Sequence, residues 1–217
     1  MSALFLGGWA YAPGLIAAAW PEVTVVGAAE PLPPVERVST VIGWSLGGLR
    51  ALAALAEGRI RAEHLVLIGS TARFCATEGY ACGQPRAALR AMMVGMKRNR
   101  TATLGNFFAL SAAPRAIDAA EQQALVGAVS DLDDTVLAEG LDQLDRLDLR
   151  AALAGISLPV LILHGASDRV IPVQAGEFLA AALPSAKLIV HPDPLAGHDL
   201  PLRAADWVRE QVVLRGM

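Results

Sequence analysis

The stretch Thr40-Val41-Ile42-Gly43-Trp44-Ser45-Leu46-Gly47-Gly48-Leu49-Arg50-Ala51-Leu52-Ala53-Ala54-Leu55-Ala56 decides the fold. Its first five residues form a short apolar run suited to a strand buried on both faces. From Leu46 to Ala56 the apolar residues recur at helical spacing instead. The two halves meet at Gly43-Trp44-Ser45-Leu46-Gly47, which fits the pattern G-x-S-x-G, a serine on a sharp strand-to-helix turn. Side chains at positions 43 and 47 would collide in so tight a turn, and Ser45 must take a strained backbone conformation that projects its hydroxyl. The helix that starts directly behind Ser45 turns its N-terminal amides toward an oxygen that becomes anionic in acyl transfer. The same five letters also arise by chance in Gly- and Ala-rich chains as a helix-capping turn. The strand before, the helix after and a third glycine at Gly48 favour a nucleophile.

Outward from this turn, similar runs recur at Ala3-Leu6, Val23-Val26, His64-Ile68, Pro159-Leu163 and Lys187-Val190. Helical stretches such as Ala175-Ala182 separate them, so strands alternate with helices and the α/β class with a mostly parallel sheet follows. One interval breaks the alternation. Ala87-Met96, Thr103-Leu110, Glu121-Val129 and Thr135-Leu144 read as helices with no strand between them. Residues 72–150 are therefore expected to be a helical insertion lying over the strand ends as a lid, with 1–71 and 151–217 as the core. Glu30-Pro31-Leu32-Pro33-Pro34 reads as a stiff loop, since proline lacks the amide a sheet needs.

Composition sets the limits of what such a chain does. Its 217 residues are 54 % hydrophobic and 18 % charged, with 18 basic and 21 acidic side chains. At roughly 150 residues per domain this is one globular domain with room for an insertion, and neither a disordered chain nor a nucleic-acid-binding surface fits. Cys75 and Cys82 belong to no metal array or disulfide framework. The start of the chain has no basic leader, and its apolar run breaks at Gly7-Gly8, so neither a signal peptide nor a membrane span is expected. The expected setting is a reducing cytoplasm, with no membrane partner.

A serine nucleophile needs a base. Of four histidines, His198 lies in Leu195-Ala196-Gly197-His198-Asp199 after the last strand, where an α/β-hydrolase places its base; His191 is the alternative. The orienting acid should follow the strand before the last, which selects Asp168 in His164-Gly165-Ala166-Ser167-Asp168, with Asp193 the runner-up and Asp199 a further alternative. The order Ser45, Asp168, His198 is that of α/β-hydrolases. An oxyanion hole needs a second amide beside that of Leu46, and the loop Leu6-Gly7-Gly8-Trp9 points to Trp9. Such a site requires neither metal nor organic cofactor.

Arg86, Arg90, Lys97, Arg98 and Arg100 stand in a fifteen-residue stretch without an acid, although the whole chain is at -3. A solvated helix face explains such a run in isolation. Above a hydrolase site it also suits an acidic partner, a carboxylated small molecule or an acidic carrier protein. Phe107-Phe108-Ala109-Leu110-Ser111 is an apolar stripe that either lines an acyl channel or packs the lid.

With these residues assembled, the chain resembles the pimeloyl-[acyl-carrier protein] methyl ester esterases of biotin synthesis. The resemblance rests on Gly43-Trp44-Ser45-Leu46-Gly47-Gly48-Leu49, Phe107-Phe108-Ala109-Leu110 and Val170-Ile171-Pro172, and on Leu147-Asp148-Leu149-Arg150 leading through Ile156-Ser157-Leu158-Pro159-Val160. It implies an α/β-hydrolase fold, a Ser-His-Asp carboxylesterase, and a carrier protein bearing a methyl-pimeloyl chain, docked by lid arginines. It also implies substrate contacts at Trp9, Ser45, Leu46, Phe107 to Ser111 and His198. Two departures stand out: Gly7-Gly8 replaces the usual His-Gly, and the chain starts at the first parallel strand without the leading hairpin. A sheet trimmed at that edge to about six strands is expected, since Val26 to Thr40 is too short for a full helix between strands. A monomer is the expected state. A general short-chain carboxylesterase or thioesterase without a carrier, and a catalytically silent binding scaffold, are the other readings.

Overall fold

The computed structural model describes residues 3–28, 30–33 and 37–216. Six strands form one sheet: β1 (Ala3–Leu6), β2 (Thr24–Val26), β3 (Val38–Trp44), β4 (Ala62–Ile68), β5 (Val160–His164) and β6 (Ala186–Val190). Their order is β2-β1-β3-β4-β5-β6, and every pairing is parallel. The expected runs fall on these strands because β3, β4 and β5 are covered on both faces and need apolar side chains on both. All five residues of β5 are buried, whereas the edge strand β6 has none that is.

Helices α1 (Pro13–Ala19), α2 (Leu46–Ala56), α7 (Val173–Ala182), α8 (Leu200–Arg203) and α9 (Ala205–Val213) accompany the sheet. Helix α1 gives little sequence signal: it is seven residues long, three of them alanine, and buries Ile16 alone. The connection from β2 to β3 has no helix among its described residues, and Glu30–Pro33 is irregular. Pro34, the last residue of the proposed stiff loop, lies outside the described residues.

Between β4 and β5 run α3 (Arg86–Arg98), α4 (Arg100–Ala112), α5 (Ala119–Ala128) and α6 (Asp134–Arg146). Each overlaps one of the four helical stretches read from the sequence. The segment leaves and rejoins the sheet through one neck. Leu149 donates its amide to the Ala72 carbonyl at 2.9 Å. Beside it, Asp148 accepts from Arg73 and from Arg150. Hydrogen bonds from Arg150, and then from Arg73, hold the Asp148 carboxyl well below the usual carboxylate range.

A carboxyl held low in the fold stabilises it above its unfolded range and stops doing so as pH falls. Asp148→Asn should therefore melt lower than wild type at pH 7, by roughly 2–4 °C. The gap should shrink below about pH 4, where unfolded carboxylates protonate. Melting curves across pH check this; a gap that stays constant with pH would show that the ionised Asp148 does not hold the neck.

Candidate active site

Ser45 stands where β3 becomes α2, at φ 57° and ψ -120°, a left-handed conformation rare for a residue with a side chain. Its surroundings enforce this. The Ser45 amide donates to the Ile68 carbonyl at 3.0 Å, and Ser70 Oγ donates to the Ser45 carbonyl at the same distance. A Cβ on Gly43 would lie 2.6 Å from Gly48 Cα, and one on Gly47 would fall onto the Leu6 carbonyl. Only hydrogen side chains let β1, β3 and α2 approach this closely. Ala10, in the loop after β1, is the other non-glycine residue at positive φ among the described residues, at 58°. Backbone strain of this kind costs about 1–3 kcal/mol per residue and gathers at functional sites.

Asp168 and His198 meet beneath the same strand ends. His198 Nδ1 lies 2.7 Å from Asp168 Oδ2, and both side chains are fully buried. The other carboxylate oxygen, Oδ1, accepts the amides of Val170 at 2.9 Å and Ile171 at 2.8 Å. A carboxylate can only accept here, so Nδ1 carries a proton, and in the neutral ring Nε2 presents a lone pair. Among the described residues Nε2 has no hydrogen-bond partner, Ser45 Oγ included. Such contacts often tighten only around a substrate. The main chain of His198 is held on both sides: its amide donates to the Ser111 carbonyl at 2.8 Å, and Trp44 Nε1 donates to its carbonyl at 3.0 Å.

The alternatives sit elsewhere. His191 accepts the Asp193 amide through Nδ1 and packs on Trp207. Asp193 pairs with Arg115, and Asp199 pairs with Arg203. Burial raises the Asp199 carboxyl, and Arg203 opposes that rise.

The β1 loop comes close to the serine, since a Cβ on Gly8 would touch Ser45 Cβ at 3.4 Å. Neither the Trp9 amide nor the Leu46 amide meets an acceptor among the described residues. The Trp9 ring is fixed by its Nε1 bond to the Leu137 carbonyl at 2.8 Å and by an edge contact with Phe107. Helix α6 can lie against that ring because position 140 is glycine, where a Cβ would come within 2.6 Å of it.

A cavity of about 120 Å³ opens on Ser45 and Trp9. Of the stripe proposed as acyl wall, Phe107 and Leu110 line it. Phe108 packs on Tyr11, Ser111 Oγ bonds the Tyr11 hydroxyl at 2.7 Å, and Ala109 is half-buried; none of these three lines the cavity. The sequence reading missed Leu89, Met92, Leu144, Gln84 and Arg169, which do. Leu89 and Met92 are three apart on α3, a signal that was available. A larger cleft, about 730 Å³, lies beside Arg50 and Arg146 and contains no residue expected at the site.

The basic run divides in two. Arg86 pairs with Asp145 at 3.1 Å and Arg100 with Asp134 at 2.9 Å, both partners coming from α6. Arg90, Lys97 and Arg98 are exposed and form no ion pair among the described residues. Cys75 and Cys82 are free thiols. Among the described residues, no helix is long and apolar enough to cross a membrane.

The family Hydrolase_4, described as serine aminopeptidase S33, matches residues 29–202. The chain belongs to this family. Its fold is that of the α/β-hydrolases: an esterase from Exiguobacterium antarcticum superposes with a TM-score of 0.83 at 20 % identity, over 99 % of this chain and 91 % of that one. A bromoperoxidase from Bacillus anthracis gives 0.83 at 18 % identity, over 98 % and 90 %. In sequence, the chain is similar to proteins named pimeloyl-[acyl-carrier protein] methyl ester esterase. The protein of that name from Nitrosomonas europaea is 32 % identical over 70 % of this chain and 62 % of its own length. The one from Aromatoleum aromaticum is 35 % identical over 72 % and 66 %. The resemblance seen in the motifs thus extends over most of the chain, which spans somewhat under two thirds of these relatives.

If Ser45 is strained and nucleophilic, Ser45→Ala and Ser45→Gly should both lose labelling by a fluorophosphonate. The glycine variant should be the more stable of the two by about 1 kcal/mol, because glycine adopts φ 57° without the penalty. Labelling of either variant, or equal stabilities, would contradict the role or the strain.

Proposed function

We propose that this chain is a serine carboxylesterase that hydrolyses the methyl ester of a pimeloyl chain carried on acyl carrier protein. The observation that carries the reading is Ser45, strained at the end of β3, opening onto an apolar cavity beneath α3 with its unpaired cations. The names of the sequence relatives support the substrate.

In this reading His198 Nε2 takes the proton of Ser45 as the hydroxyl attacks the ester carbonyl. The amides of Leu46 and Trp9 bind the oxyanion, and His198 returns the proton to the departing methanol. Water then attacks the acyl-enzyme by the same route. Asp168 keeps the imidazole in the tautomer that leaves Nε2 free and stabilises the imidazolium that forms. Residues 72–150 act as a lid over a core of 1–71 and 151–217. Phe107 and Leu110, with Leu89 and Met92, contact the acyl chain, while Phe108 and Ser111 support that wall from behind.

Carrier docking falls to Arg90, Lys97 and Arg98, whose charges are not neutralised by α6, rather than to Arg86 and Arg100. Charge reversal at those three should lower kcat/KM on the carrier-bound ester by about tenfold at low salt and leave a p-nitrophenyl ester unchanged. Equal losses on both substrates would remove the docking role. The reaction itself is tested with methyl-pimeloyl carrier protein, wild type and Ser45→Ala. Mass spectrometry should show a product lighter by one methylene with wild type only. Release of free carrier would mean thioester cleavage, and no change would leave a general esterase.

A further inference from the structure

Among the buried titratable side chains that the serine mechanism leaves unused, one stands beside the proposed acid. His164, the last residue of β5, is fully buried four residues before Asp168. We infer that His164 is a positioning residue, whose Nε2–H donates to the Ile171 carbonyl at 2.8 Å and thereby fixes the loop that aims Asp168 at His198. The inference rests on the serine-hydrolase reading of Ser45, Asp168 and His198, though not on the identity of the ester.

The geometry sets the tautomer. The Ile171 carbonyl can only accept, so Nε2 must hold the proton. Nδ1 has no hydrogen-bond partner among the described residues and faces α7 at Gly176, where a Cβ would come within 2.8 Å of it. A proton there would find no acceptor, so the ring is neutral. The ionisable groups facing it are Asp168 from its own loop, His198 from the loop after β6, and Glu177 from α7. Burial outweighs the two carboxylates and lowers the His164 pKa, in keeping with a ring that stays uncharged.

The consequence for the acid runs through one residue. Ile171 accepts from His164 through its carbonyl and donates its amide to Asp168 Oδ1 at 2.8 Å. With Oδ1 occupied by the Val170 and Ile171 amides, Oδ2 is left to face His198 Nδ1. His164 Nε2 itself stays 3.6 Å from Oδ2, too far for a hydrogen bond, so it does not compete with His198 for that oxygen. The short close approach of Gly176 is what admits an imidazole here at all.

The test uses His164→Leu, His164→Asn and His164→Gln. Glutamine places an N–H donor where Nε2 stood, asparagine places its amide nearer Nδ1, and leucine supplies no donor. Activity is read with a p-nitrophenyl ester and as the rate of fluorophosphonate labelling, so a wrong carrier substrate does not affect the outcome. Leucine and asparagine should lower kcat and the labelling rate by about tenfold with KM little changed, and glutamine should restore most of both. The low-field proton resonance of the His198 Nδ1–H bond to Asp168 should broaden or move in the leucine and asparagine variants and persist with glutamine. This signal remains a test of the alignment even if wild type proves not to label at Ser45. Wild-type rates and an unmoved resonance in the asparagine variant, or a glutamine variant as impaired as asparagine, would overturn the inference.

Discussion

The turn at Ser45 is the constraint around which the rest of the molecule is arranged. A residue with a side chain is held at positive φ because the strands on either side leave its peptide no other place: Ile68 takes its amide and Ser70 bonds its carbonyl. Helix α2 then starts against the Leu6 carbonyl, a contact that glycine at 47 alone allows. The parallel register of β1, β3 and β4 is therefore part of the site, since it brings Leu6, Gly43 and Leu67 to one level and sets Trp44 beside Ile68. Strain of a few kcal/mol is tolerable only because burial of these central strands is worth far more.

Asp168 and His198, the proposed acid and base, depend on parts of the chain far from the turn. His198 hangs between the indole of Trp44, one residue before the serine, and the Ser111 carbonyl at the end of α4. Helix α4 also supplies Phe107 and Leu110 to the cavity wall. One helix of the segment between β4 and β5 thus both shapes the space beside Ser45 and holds the main chain of the histidine. Arg203, bonded to Asp199 beside the histidine and to Glu121 of α5, adds a second tie between the same parts. Helices α4 and α5 are consequently tied to the proposed site, and movement of α4 would disturb the Asp168–His198 pair as well as the cavity.

Much of this was legible in the sequence for a physical reason. Strands covered on both faces must be apolar throughout, so the runs of the central strands and their alternation with helices could be read directly. The G-x-S-x-G turn fixed one point, and the chain order of the loops after β5 and β6 pointed to Asp168 and His198. The cavity wall was harder. Phe107 and Phe108 are successive residues of one helix, about 100° apart around its axis, so one side chain faces the serine and the other faces Tyr11. Which of them does so depends on how α4 packs, and no local pattern reveals that. The basic run shows the same limit. It contains no acid of its own, yet Arg86 and Arg100 find carboxylates on α6, 59 and 34 residues away.

The proposed function requires that Ser45, the amides of Trp9 and Leu46, and the Asp168-bound His198 form one reaction centre. A crystal structure of the chain with a phosphonate bonded to Ser45 Oγ measures this directly. The phosphonyl oxygen is expected within about 3 Å of both amide nitrogens, with His198 Nε2 at hydrogen-bond distance from Oγ or the leaving-group oxygen and Nδ1 still on Asp168. A phosphonyl oxygen turned away from Trp9 and Leu46, or a His198 that stays out of reach of the adduct, would contradict it.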